Sequence, residues 1–135
     1  MQYKLTIALI LVSLAMTAHA SSLCRNAPDH ATERACLIRE AELSVQKVKA
    51  AQNALRKDIG AWDEEPYFKA KTLDLFNSSV HQFQSYRDTQ CEYEASMAAG
   101  GNSAGDLRLY CKIELDDIYL KALKKQAVWF SKLNG

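Results

Sequence analysis

The sequence predicts an all-α protein, an up-down-up bundle of three helices stapled by two disulfides. Three observations carry this prediction. Apolar residues recur at helical spacing along three long stretches. Chain breakers separate those stretches, at Gly60 to Pro66 and at Gly100-Gly101. Four cysteines, an even number, sit in a short chain that opens with an export signal. Alternation of period two never persists, and Ala, Leu, Lys, Glu and Gln dominate, so strands are not expected.

The opening residues have the three parts of a secretory signal. Lys4 supplies the positive start, Leu5 to Met16 is almost wholly apolar, and Ala18-His19-Ala20 places small residues where a signal peptidase reads. The apolar run falls short of the roughly 20 residues needed to span a bilayer. Leu23 before Cys24 is too large for a lipid-attachment site. The expectation is residues 1–20 as signal and residues 21–135 as one domain, periplasmic or secreted, without stable membrane insertion.

The first helix carries the stripe Leu37, Ala41, Ser44, Val48, Ala51, Leu55, Ile59 and Trp62, with Pro28-Asp29 leading in and Gly60 as its stop. The second begins near Pro66, a residue suited to a first helical turn, and Asp63, Glu64 and Glu65 suit its positive end. Its stripe is Phe68, Thr72, Leu75, Phe76, Val80, Phe83, Arg87 and Cys91, fraying near Ala98-Ala99. Ser103 with Asp106 three residues later resembles a capping box for the third helix. That helix is expected to bury Leu107, Cys111, Leu115, Ile118, Ala122 and Trp129. Short connections make sequential helices antiparallel.

Cys24, Cys36, Cys91 and Cys111 all follow the signal, and in a small exported chain they read as two disulfides. Cys91 and Cys111 are symmetric about Gly101, so a hairpin of the second and third helices brings them face to face, leaving Cys24 for Cys36. Folding the first helix on the second about Asp63 also brings Cys36 level with Cys91. Four cysteines permit three pairings, and the spacing leaves them open.

Charge excludes more than it identifies. There are 17 basic and 16 acidic residues, and removing Lys4 with the signal leaves sixteen of each. No general attraction to nucleic acid or anionic lipid follows. Residues 63–99 are locally acidic, with seven acids against three bases. No cofactor motif, nucleophile context or metal-ligand spacing is present: His30 and His81 are isolated, and Asp116-Asp117 reads as a solvated pair. Lys121, Lys124, Lys125, Trp129 and Phe130 read as a helix end with an aromatic tucked into the bundle. A protein partner rather than an enzymatic role is expected.

An N-terminal Cys pair, Phe83, Tyr86-Arg87-Asp88, Cys91, the pair Gly100-Gly101 and the final Cys111 together form a recognisable pattern. It resembles the LprI-like family of small exported bacterial proteins, named for a lysozyme inhibitor, over roughly Cys24 to Leu123. That family commonly carries tryptophan where this chain has Phe83. It also carries a Thr-x-x-Arg pair where this chain has Asp116 and Tyr119. The resemblance implies a protein that binds and inhibits lysozyme or a related cell-wall hydrolase by blocking its active-site cleft. The alternative is an envelope stress protein or chaperone holding unfolded clients in the periplasm.

Within this pattern Arg87 lies on the apolar stripe and needs a carboxylate or carbonyl partners, for which Glu114 on the next helix is the candidate, forming a structural lock. Gly100, Gly101, Asn102 and Ser103, held between Cys91 and Cys111, are the expected contact surface, together with Asp88. Glycine admits close backbone approach, and a braced loop loses less entropy on binding.

Overall fold

The structure, a computed structural model, describes residues 24–133. The expected signal and its expected cleavage point lie outside these residues. Three helices follow: α1 (His30–Ala61), α2 (Pro66–Ser96) and α3 (Ser103–Leu133). Among the described residues no helix is long and apolar enough to cross a membrane.

Each boundary has a local cause. Asp29 is extended, at φ −154° and ψ 164°, and its Oδ1 accepts the Thr32 backbone N–H at 2.8 Å, capping α1. The Thr32 hydroxyl donates to the other carboxylate oxygen at 3.1 Å. At the far end Trp62 leaves the helical conformation with ψ 132° while its N–H returns to Ile59 O. Gly60 is therefore the penultimate helical residue rather than the stop. Pro66 opens α2, where its missing N–H costs nothing. Between α2 and α3 the chain reverses through Ala99 at φ 49° and Gly100 at φ 78°. Gly100 suits that left-handed conformation and Ala99 is strained by it.

The helices run up, down and up. Cys91–Cys111 and the Phe83–Tyr119 ring pair align α2 antiparallel to α3, and Arg56–Asn77 does the same for α1 and α2. The α1–α3 interface is the most extensive and the α1–α2 interface the least. Two apolar clusters result. The larger joins Val48, Leu55, Ile59, Phe76, Val80, Leu123 and Phe130. The smaller joins Cys24, Leu37 and Ile113 near the stapled end. Two disulfides are present, as expected, and the pairing that spacing left open is Cys24–Cys36 with Cys91–Cys111.

The stripe expected for α1 is the one that faces inward: Leu37, Val48, Leu55 and Ile59 are buried. The α3 stripe is a correction. Its core face carries Asp106, Ile113, Asp116, Leu123 and Phe130, whereas Ile118 and Trp129 are exposed and only Cys111 of the expected set is buried. On α2 the expected positions Phe76, Val80 and Cys91 are buried, but Phe68 and Leu75 face solvent.

Candidate functional site

A charged layer separates the two apolar clusters. Arg87 Nε lies 2.6 Å from Asp116 Oδ1, and its Nη2 donates to Oδ2 at 2.7 Å. The Ser44 hydroxyl, from α1, contacts the same Oδ2 at 2.6 Å. Asp116 is 2% exposed, so all three helices meet on one buried carboxylate. Arg87 does need an anion, but its partner is Asp116, not Glu114. Glu114 is exposed, because α3 turns the 113/116 face inward and carries position 114 away. The reading of Asp116-Asp117 as a solvated pair is overturned for Asp116 by the same rotation. Asp88, the residue after Arg87, stands 3.3 Å from Lys112, one turn from Asp116, and 3.6 Å from Arg87, its own side chain largely exposed.

Beyond this layer comes the Cys91–Cys111 staple, and beyond that a polar network sequence reading missed. Asp106 is buried at the head of α3. Its Oδ2 lies 2.6 Å from His30 Nε2, and its Oδ1 accepts from Arg34 Nη1 at 2.9 Å. The capping-box reading of Ser103 and Asp106 is thus displaced: the carboxylate faces α1. Gly105 makes room, since a Cβ there would come within 2.5 Å of the Arg34 guanidinium. The Tyr110 hydroxyl donates to Glu33, and the Arg25 guanidinium sits 5.2 Å above the Tyr110 ring centre. Burial, then the Glu33 contact, pushes the Tyr110 phenol up from its ordinary value. On the opposite side Arg108 grips Glu92 with two nitrogens, which holds that carboxyl below its ordinary value. The helix ends under the turn are therefore fixed covalently and electrostatically.

The turn itself leaves Gly100, Gly101, Asn102 and Ser103 exposed and contiguous. Asp88 is not beside them. Eight residues separate it from the end of α2, about 12 Å at 1.5 Å per residue. An apolar stripe on the outer face of α2 runs toward the turn from Tyr86, which lies farther back than Asp88, through Tyr93 to Met97 at the turn itself, with 55%, 61% and 63% exposure. Positions 86, 90, 93 and 97 fall on one helical face, with Gln90 completing the row and donating to Glu94 at 3.1 Å. Tyrosine and methionine lose little or adapt readily when they are buried against a partner, and both are enriched in interfaces. The 86, 93 and 97 spacing is visible in the sequence, but which face of α2 stays uncovered is decided by the neighbouring helices, so sequence reading missed the stripe. Among the described residues no cluster of His, Cys, Asp and Glu is arranged to hold a metal. The chemistry on offer is recognition by a rigid, mixed apolar and polar end.

The pattern departures meet one another. Phe83 and Tyr119 stack across α2 and α3 with ring centres 3.8 Å apart and planes 20° from parallel. Asp116 is the anion of Arg87. Against known families, the model described as lysozyme inhibitor LprI matches residues 24–123. No curated protein and no solved structure matches the chain.

Proposed function

Because the chain belongs to the lysozyme inhibitor LprI family, we propose that it is exported to the periplasm or beyond and inhibits a lysozyme or related wall hydrolase. Inhibition is by occlusion: the stapled end lies across the active-site cleft of the target. The observation that carries the reading is the exposed row of Tyr86, Tyr93 and Met97 running into the exposed turn at Gly100 to Ser103. Row and turn stand on helix ends joined by Cys91–Cys111 and by Arg108–Glu92.

A cleft that hydrolyses sugar polymers is lined by groups that bind rings and hydroxyls, with a carboxyl pair at its centre. Tyrosine faces and a narrow Gly-Gly-Asn-Ser turn match such a cleft in shape and polarity. A protein that only obstructs needs no catalytic group of its own. Preorganisation by the staple lowers the ordering cost of binding.

The test is alanine substitution at Tyr86 and Tyr93, and separately at Asn102 and Ser103, with the inhibition constant measured against a panel of lysozymes. All four side chains are exposed, so folding is retained. The Tyr86/Tyr93 pair should raise the inhibition constant at least tenfold, as loss of a hot spot does. Unchanged constants in both variants would place the contact elsewhere.

A further inference from the structure

At the opposite end of the bundle an open groove of about 620 Å³ lies between α2 and α3 over α1. Its floor is Leu55 and Ile59 of α1, each only 1% exposed, so it reaches the main core. Its walls include Leu75 of α2 and Ala122 and Trp129 of α3. Leu75 and Trp129 are 63% and 57% exposed. These are positions whose periodicity marks them as core, yet no described segment covers them. Phe130 closes one side, packed edge-on against both Trp62 and Trp129.

We propose that this groove binds a long-chain carboxylate, a free fatty acid, with the acyl chain along the apolar floor and the head group at Lys125. Size favours a small ligand over a protein. The volume lies within the few hundred to 1,000 Å³ of small-molecule sites. The surface its lining exposes is a small fraction of the roughly 800 Å² per partner that a stable protein interface buries. Charge selects the head group: Lys125 is the one charged residue of the lining. Lys121, one turn earlier, is paired with Asp117 at 2.7 Å, whereas Lys125 has no carboxylate within ion-pair distance among the described residues. A single ammonium at the rim of an apolar trough complements a single-charged amphiphile. The Ser79 and Thr72 hydroxyls and Gln126 add only neutral polar groups to the lining.

Dodecanoate, kept below its micelle concentration, is titrated into the oxidised mature protein. Calorimetry and tryptophan fluorescence are followed together, since Trp129 lines the groove. Saturable binding at one per chain with a fluorescence change is expected. Lys125→Glu, on an exposed position, should weaken dodecanoate roughly fivefold or more, as reversal of a surface pair would, and leave dodecanol unaffected. Ala122→Trp, also exposed, should fill the trough and abolish both. Absence of saturable binding overturns the proposal, as does a Lys125→Glu variant that binds dodecanoate as well as the parent. So does a stable dimer in which Trp129 is shielded before any ligand is added.

Discussion

Arg87 holds a full charge against Asp116 in a layer with apolar clusters above and below. Breaking such a pair by removing one partner leaves the other charge buried, at a cost of about 3–5 kcal/mol. Asp116→Ala should therefore lower stability by about that amount in urea unfolding of the oxidised protein. Arg87→Met combined with Asp116→Leu should recover much of the loss, because a buried pair and an apolar pair are close in free energy. That Arg87 requires a buried polar partner was legible in its place on an apolar stripe; that the partner is Asp116 was not. Glu114 and Asp116 are two residues apart, and the rotation of α3 that chooses between them is set by contacts with α1, including Ser44. Tyr119 carries a second prediction. Its hydroxyl is buried beside Gln52 and Ser79 without making a hydrogen bond of good geometry to either, and burial raises its pKa from the ordinary value against the opposing pull of those two polar neighbours. A raised folded-state value means stability is intact below the ordinary tyrosine value and is lost as pH climbs through the raised one. Tyr119→Phe keeps the stack on Phe83 and should shrink the alkaline fall in Tm while costing little at neutral pH.

Each helix shows what periodicity can and cannot decide. For α1 one face is apolar and the opposite face polar, so the buried set follows from spacing. For α3 two faces qualify: Ile118, Ala122 and Trp129 on one, Ile113, Leu123 and Phe130 on the other. The second carries Asp106 and Asp116, which count against burial until their cationic partners on neighbouring helices are known. Spacing alone chose the wrong face for that reason. The start of α1 was legible because its signal is local: Asp29 and Thr32 make the cap between themselves. The backbone bond from Thr32, then its hydroxyl, holds the Asp29 carboxyl below its ordinary value. The cap is thus present above the ordinary carboxylate range and lost as pH falls through the lowered value. The α2–α3 hairpin was legible from the Gly100-Gly101 break and the short connection, while the choice of Cys91 with Cys111 over Cys36 with Cys91 was not. Cys91 and Cys111 are 20 residues apart, and closing a loop of that size contributes about 3 kcal/mol in the chain-entropy model. The double variant Cys91→Ser, Cys111→Ser should lose about that stability. Its hydrogen-exchange protection should fall most near the turn.

The molecule as a whole is asymmetric along its axis. One end is tied by two disulfides and the His30, Arg34 and Asp106 cluster. The other is held by the Leu55, Ile59, Phe76 and Phe130 core and opens into the α2–α3 groove. Tyr67 is as exposed at the other end, but only the Tyr86, Tyr93 and Met97 row runs into a disulfide-braced turn, and the proposed obstruction of a cleft rests on that coincidence. That assignment was only half legible in the sequence. The braced glycine turn follows from cysteine and glycine spacing. The Tyr86, Tyr93 and Met97 row emerges only when the neighbouring helices show which faces of α2 they leave uncovered. The measurement that bears most directly on the account is a titration of the oxidised mature protein against a panel of lysozymes and bacterial wall hydrolases. Binding and residual activity are read together, with the Tyr86→Ala, Tyr93→Ala variant in parallel. Saturable inhibition of at least one member near one-to-one stoichiometry is predicted, weakened at least tenfold in the variant. Binding to no member, or inhibition that the variant retains in full, would contradict it.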